Sequence, residues 1–483
     1  MAVSSTGIGS GLDVTSIITQ LTALEKIPLN KLQSKATDIQ AKLSTVGQIK
    51  SQVSALSDAA FKLTLDGSWN GTTVSSSNPS AVTGTVTGVA AATTFSLEVS
   101  QLAKAQSTAS TAVVAGASMG TGTLTIDLGT WNHGTTLVPI APPVFSTPSS
   151  TVSVSIGVGE DSLATIASKI NDANAGVTAT VLKDSSGERL LIRSKSTGEE
   201  SGFRITVADD DTVNTDNAGL SRLAFDPGVG AFGMAANTYS RGQNAQGTIN
   251  SIAVTSATNS LAGAIAGLTL QFSAITTAPV EVSLTADKAT VNKNIQDFVT
   301  AYNTLNKSLS DATKYDAETK TAGVLQGDAT AVGLKSALLG LMGSSSVGSS
   351  FGRLAEVGLE IQLGGAIVVS GSKLTSALAN LDNLKTLFTA NNSNPLTNGF
   401  GLKVKDFARG LLATEGTVTT KTAALEAAAT RNTKEQDKVN ARVALVEARL
   451  KKQYSALDAT MGSLTALNSY VTQQITLWNR SRG

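Results

Sequence analysis

Residues 439–478 read VNARVALVEARLKKQYSALDATMGSLTALNSYVTQQITLW, and their apolar side chains follow a heptad pattern. The steps between these side chains are three or four residues and average about 3.5, the repeat that keeps an apolar seam facing a partner helix. No proline follows Pro395, so a helix can run through the whole stretch. The pattern predicts a long C-terminal helix that packs on other helices through Val439, Val443, Val446, Leu450, Tyr454, Leu457, Met461, Leu464, Leu467, Val471, Ile475 and Trp478.

A second heptad pattern lies near the N-terminus, between Ile39 and Leu63. A shorter helix should precede it, with Asp13 as the N-cap and an apolar face that contains Ile17, Leu21 and Leu24. Pro28 disfavours helical angles at the residue before it, so we expect a kink or break at Ile27. A chain whose two ends coil together while its middle loops out is expected to work by assembling.

The middle of the chain, residues 73–288, alternates apolar and polar residues as strands do, and heptad spacing returns from Val291 to Leu309. The fold class is therefore α+β and multidomain, with β-rich domains nested between terminal helices. Residues 130–150 hold four prolines and are expected to be irregular. The predicted parts are leg segments 1–40 and 436–483, disordered before assembly; a helical bundle with a small hairpin, 41–72 and 289–435; a first β-rich domain, 73–108 and 237–288; and an inserted β-rich domain, 109–236.

Composition excludes several classes of function. The net charge is +1 and only 15% of residues are charged, so no polycationic surface is available for nucleic acid. The chain has no cysteine, which excludes thiol catalysis, disulfides and cysteine-ligated zinc. His133 is the only histidine, and we expect it to be an ordinary surface residue. The aspartates at 209, 210, 211 and 216 lack the alternating ligands of a calcium loop. We therefore expect no enzyme, no metal and no cofactor.

No targeting segment is readable in the sequence. Residues 1–6 lack the basic start and apolar block of a secretory signal peptide. The most apolar stretch, residues 261–272, is too short to span a bilayer. We expect no cleaved signal peptide and no membrane insertion.

Each heptad seam can pack within one chain or between chains. For residues 291–309 the intramolecular arrangement is favoured, because neighbouring helices are available. For residues 439–478 assembly-dependent packing is favoured, because the polar residues around Asn468 supply little charge patterning to fix a two-stranded coil. The candidate assembly-interface residues are Ile17, Leu21, Leu24, Val443, Leu450, Leu457, Leu464 and Val471.

Several short motifs resemble the flagellar filament cap proteins, also called the hook-associated protein two family. The opening Ile8-Gly9-Ser10-Gly11-Leu12-Asp13-Val14 and the following Ile17 to Leu29 are similar to the start of that family. Three later segments resemble the C-terminal half of the family: Tyr302-Asn303-Thr304-Leu305, Leu354-Ala355-Glu356-Val357-Gly358-Leu359 and Ser469-Tyr470-Val471-Thr472-Gln473-Gln474. A segment from Ile170 to Ile192 also resembles a motif shared by flagellin and hook proteins.

The resemblance implies a function outside the cell. Such proteins leave through the flagellar type III export channel and form a ring, typically a pentamer, at the distal tip of the filament. They help exported flagellin to fold and insert, and they prevent its loss to the medium. Their terminal helices form legs and their β domains form a plate. An export chaperone binds the C-terminal helix beforehand, and cell adhesion is reported for some relatives.

Two other classes stay open. One is a different flagellar axial protein, which would share helical termini; the Gly11-Leu12-Asp13 opening argues against it. The other is a secreted adhesin with a coiled-coil stalk, for which a nested rather than sequential layout is unexpected.

Overall fold

The computed structural model describes residues 13–134, 139–214, 216–229 and 233–480. The chain divides into two compact units: a helical unit, Met1–Trp69 with Lys288–Gly483, and a β unit, Asn70–Asp287. Residues 1–12, the beginning of the predicted leg segment 1–40, lie outside the described residues. The finer division into four parts stays a prediction.

Two helices precede the β-rich part of the chain, and the remaining long helices follow it. The helices are α1 Val14–Glu25, α2 Ile27–Lys62, α3 Leu163–Asp172, α4 Lys288–Thr313, α5 Ala329–Met342, α6 Gly371–Ala377, α7 Leu381–Thr389, α8 Phe400–Leu412 and α9 Thr417–Arg480. The strands are β1 Thr72–Ser76, β2 Val82–Val86, β3 Thr93–Gln101, β4 Ser107–Ala109, β5 Gly122–Gly129, β6 Trp131–Gly134, β7 Pro139–Phe145, β8 Ser150–Ile156, β9 Val177–Asp184, β10 Gly187–Ser194, β11 Gly202–Asp209, β12 Ala245–Ile249, β13 Ile252–Ser256, β14 Ser260–Ile265, β15 Leu268–Phe272, β16 Val280–Ala286, β17 Tyr315–Asp316, β18 Thr321–Ala322, β19 Leu359–Ile361 and β20 Ile367–Val369.

The helical unit is a bundle around one apolar core. Its heptad positions on α2 and α4 face inward, as the spacing predicts, and they meet buried leucines and phenylalanines of α5 to α8. Tyr302 of α4 is completely buried, and its hydroxyl donates to the carbonyl of Gly365 at 2.6 Å. That bond ties α4 to the small hairpin of β19 and β20. Residues 291–309 therefore pack within the chain.

The break between the first two helices falls one residue earlier than predicted. Lys26 separates α1 from α2, and Ile27 is already helical. Pro28 lies in the first turn of α2, where the missing N–H would have no partner in any helix. The proline thus starts the second helix rather than ending the first. Asp13 caps α1 as predicted, accepting from the amide of Ser16 at 2.9 Å.

The β unit begins and ends on paired strands. Its five-stranded antiparallel sheet has the order β1-β16-β3-β12-β13, and β1 pairs with β16 from Thr72↔Ala286 to Ser76↔Val282. A three-stranded sheet, β14-β15-β2, packs on it through a core that contains Phe95, Leu97 and Phe272. The first and last strands of the unit are therefore neighbours in one sheet.

A separate apolar core lies in the segment inserted between β3 and β12. Two three-stranded sheets, β4-β10-β9 and β11-β5-β8, enclose it together with α3. Ile166 and Ile170 of α3 are completely buried there, because their spacing of four residues places both on one helix face.

The prediction that residues 130–150 are irregular is wrong. Strands β6 and β7 form an antiparallel pair with Trp131 opposite Phe145, and their ring centroids are 4.7 Å apart. The prolines are tolerated because β7 pairs on one side only in the described sheet. His133 lies on β6 and not in an irregular segment; it is half-buried, with its Nε2 3.5 Å from the hydroxyl of Tyr239.

We predict that a fragment of residues 70–287 folds without the helices. Its terminal strands pair with each other, and its apolar cores contain only its own residues. Circular dichroism should show a cooperative thermal transition, and Leu97→Ala, which opens a cavity at a completely buried site, should lower the free energy of unfolding by about 2–5 kcal/mol. A fragment that melts without cooperativity would place the boundary elsewhere.

Candidate functional site

The C-terminal helix α9 is held at its base by buried contacts. Val418 and Leu425 belong to the bundle core. The ammonium of Lys421 pairs with the carboxylate of Asp328, which also caps α5 by accepting from the amides of Thr330 and Ala331. Both charged side chains are largely shielded from solvent. One carboxylate therefore fixes α5 and α9 together.

The middle of α9 packs along α2. Asn432 is buried, and its Nδ2 donates to the carbonyl of Leu32 at 3.0 Å, while its Oδ1 has no hydrogen-bond partner among the described residues. A polar group buried in a helix seam costs stability and favours the one register that satisfies it. Asn432 thus marks the register of α2 on α9.

The first helix α1 lies on α9 through one of its two apolar faces. Val14, Ile18 and Thr22 are buried. The predicted residues are more open: Ile17 is half-buried, and Leu21 and Leu24 are exposed. Helix α1 thus carries apolar residues on two sides, one packed on α9 and one largely open to solvent. Leu21 and Leu24 stay proposed assembly residues, since their exposure leaves them accessible to another chain.

An ion pair joins the C-terminal end of α1 to α9. Arg442 of α9 lies with its guanidinium nitrogen 3.1 Å from the carboxylate of Glu25. Next to it Val443 is buried, and one heptad later Leu450 is half-buried. Of the predicted interface residues, these two lie where α9 still has support from its own chain.

Beyond Ser455 the helix continues with its apolar side chains in solvent. We call Leu457, Met461, Leu464, Val471 and Ile475 the apolar stripe, because steps of three, four and seven residues put them on one helix face. Leu457 is 44% exposed, Leu464 53% and Val471 44%. Asn468 lies on the same helix face, between Leu464 and Val471, and is exposed. The candidate site is thus one continuous helix whose base is buried and whose far end presents apolar surface.

Outside α9 the described residues offer few groups for catalysis or metal binding. Among the described residues no three His, Cys, Asp or Glu side chains converge as metal ligands would. Asp209 instead accepts from the amide of Ser221, and Asp216 from that of Ala218, as turn residues do. Within the described ranges no helix is long and apolar enough to cross a membrane. Sequence reasoning missed the buried cation Lys403, because a lone lysine in a helix carries no signal of its burial.

Two models of one protein family match the chain. The model for the flagellar hook-associated protein 2 N-terminus matches residues 10–106, and the model for its C-terminus matches residues 242–466. The flagellar hook-associated protein 2 of Escherichia coli K12 is 28% identical in an alignment 484 residues long, which covers 98% of each chain. The B-type flagellar hook-associated protein 2 of Pseudomonas aeruginosa is 28% identical in an alignment 492 residues long, which also covers 98% of each chain.

A solved structure supports the fold. The chain resembles the crystal structure titled flagellar cap protein FliD D1-D2-D3 domains from Escherichia coli, with a TM-score of 0.56 and 25% sequence identity. The match covers 79% of this chain and 99% of that one. Mixed helices and sheets with a long C-terminal helix agree with the predicted α+β fold class.

We predict that the Asp328–Lys421 pair stabilises the base of α9 in a pH-dependent way. Burial raises the pKa of Asp328, but Lys421 and the helix amides outweigh it, so the pKa lies below its ordinary 3.8. A depressed carboxyl pKa adds stability above the unfolded pKa, and this is lost as pH falls through the folded pKa. Asp328→Asn keeps a capping side chain and should cost about 1 kcal/mol at neutral pH, a difference that shrinks in acid.

Urea unfolding across pH measures this difference. Asp297→Asn removes an exposed pair with Lys293 and serves as the control, with an expected cost below about 0.5 kcal/mol. A pH-independent difference for Asp328→Asn would contradict the ion-pair account.

Proposed function

Since the chain belongs to the flagellar hook-associated protein 2 family, we propose that it caps the distal end of a bacterial flagellar filament through the apolar stripe of α9. The family consists of structural flagellar cap proteins and not of enzymes. The observation that carries the proposal is the contrast along α9, between a base buried in the bundle and a far end with exposed leucines.

The stripe is suited to a surface that another chain covers. Full burial of one large aliphatic side chain contributes about 1.5–3 kcal/mol, so five such residues make a strong docking surface. The structure of α9 is continuous from Thr417 to Arg480, which transmits the position of the bundle to the stripe. In our proposal the stripe packs against filament subunits or other copies of this chain, with Leu21 and Leu24 of α1 beside it.

The finer parts of the proposal follow the family. Copies of the chain form a ring, a pentamer, whose legs contain α1 and the far end of α9. Flagellin subunits that arrive at the tip fold and insert beneath this ring, and the ring prevents their loss to the medium. The chain reaches the tip through the flagellar export channel without a cleaved signal peptide. An export chaperone covers the stripe beforehand, since exposed leucines of one helix face suit helix-in-groove binding.

We predict that the far end of α9, residues 455–478, is mobile in the free subunit. The apolar stripe makes few contacts in the single chain, whereas the base of α9 is buried. Amide hydrogen exchange should be fast over residues 455–478 in the monomer, slow over 417–432, and slow over both in assembled caps. Strong protection of 455–478 in the monomer would contradict this expectation.

We predict that Leu457→Asp weakens capping and leaves the fold intact. In the free subunit the new carboxylate is exposed and costs little, but docking would bury it at a cost of several kcal/mol unless it is neutralised. Strains with this variant should have short or absent filaments and should release flagellin into the medium. Secreted flagellin in culture supernatants and motility in soft agar measure the effect.

Ala459→Asp is the matched control. It adds the same charge to the same exposed turn, but position 459 lies about 200° around the helix from position 457. The control strain should swim normally. If Leu457→Asp reaches the medium or the filament tip, as immunoblotting would show, and still supports full-length filaments, the stripe does not hold the cap in place.

A further inference from the structure

A cavity of about 340 Å³ opens in the helical unit between α5, α8 and the segment that precedes α8. Its walls include the apolar side chains of Leu341, Leu396 and Phe407. Gly340 of α5 lines it as well, and a Cβ added at Gly340 would meet open space. The volume lies at the lower end of the range of small-molecule sites.

A buried cation faces this apolar cavity. Lys403 of α8 lines it and is only 7% exposed, although lysine is almost never buried without a partner of opposite charge. Its Nζ donates to the Ser344 hydroxyl at 2.9 Å and to the Ser345 carbonyl at 2.6 Å, and it lies 5.1 Å from the centre of the Phe400 ring. These contacts are polar or aromatic, and none of them carries a negative charge.

The positive charge is therefore solvated but not neutralised. Among the described residues no carboxylate forms an ion pair with Lys403. Asp406 also lines the cavity, but its carboxylate pairs with Arg409 at 3.4 Å. Burial lowers the pKa of Lys403, which reflects the free energy needed to keep a charge there. An anion in the cavity would remove that cost.

We propose that this cavity binds a small amphiphilic anion, a carboxylate with an aliphatic tail. The carboxylate would accept from the Lys403 ammonium, which has three N–H donors and uses two on oxygen atoms of the chain. The tail would lie against Leu341, Leu396 and Phe407, where apolar surface is removed from water. The ligand needs both a negative charge and an apolar tail. A charge alone would leave the apolar wall in contact with water, and a tail alone would leave the Lys403 ammonium without a counter-charge.

A structural role for Lys403 makes a different prediction. Ser344 and Ser345 follow α5, so the ammonium also satisfies oxygen atoms near the end of that helix. If this were its only role, Lys403→Met would destabilise the chain and no ligand would respond to it. If the lysine is kept for an anion, the variant should lose ligand binding while stability is unchanged or raised, as when apolar side chains replace buried charges.

Calorimetry and thermal melting of the full chain with sodium decanoate, below its micelle concentration, test the proposal. Decanol supplies the tail alone and sodium acetate the carboxylate alone. We expect saturable decanoate binding with a rise in Tm, and neither effect with acetate or decanol. Lys403→Met should weaken decanoate binding at least tenfold.

A second variant keeps Lys403 and fills the cavity. Gly340→Leu places a side chain in open space within a helix, where leucine is also a better helix former than glycine, so the variant should fold. It should weaken decanoate binding at least tenfold. Gly333→Leu is the matched control, since position 333 lies one heptad earlier on α5, is equally open and does not line the cavity.

The variants also separate the cavity from the apolar stripe, to which fatty carboxylates could adsorb. Adsorption to the stripe would be unchanged in Gly340→Leu. The proposal is overturned if wild-type protein does not bind decanoate, if decanol binds equally well, or if either Lys403→Met or Gly340→Leu binds decanoate as tightly as wild type. Capping activity is not a readout here, so failure of this proposal leaves the proposed function untouched.

Discussion

The contact between α2 and α9 joins the two ends of the chain, and the rest of the helical unit depends on it. Asn432 and Leu32 meet across it although 400 residues separate them in sequence. Near the other end of the contact Val46 lies close to Val418, so the two helices run antiparallel. The bundle core contains residues of α2, such as Leu56, and of the base of α9, such as Val418 and Leu425. Both ends of the chain are therefore needed to complete the core.

That contact also explains why α9 has two different halves. Up to about Leu450 the helix has α2 and α1 beside it, and its heptad residues are buried or half-buried. Further on, the same heptad spacing continues, but within the described residues no helix of the chain lies beside it, and its leucines are exposed. Soluble proteins avoid large exposed apolar patches unless another chain covers them. The far end of α9 is therefore the candidate assembly surface.

Periodicity predicted the parts of this structure that depend on local sequence. The heptads of α2, α4 and α9 and the alternation of the strands each arise from the side-chain period of one element. Which side of α1 packs within the chain was not predicted, because a 12-residue helix with apolar residues on two sides does not determine which side finds a partner. The pair of β6 and β7 was missed because edge pairing tolerates prolines that a central strand excludes. Lys403 was missed because its burial results from three separate segments meeting.

The exposed stripe and the buried lysine are opposite departures from the usual distribution of side chains. Leucines normally lie inside and lysines outside, and each reversal costs free energy in the isolated subunit. The stripe has a spacing that continues a buried seam, which makes a helical or subunit surface its natural complement. Lys403 instead faces a concave, apolar cavity too small for a helix, which makes a small anion the better complement. The shape of each site, rather than its polarity alone, decides which class of partner can satisfy it.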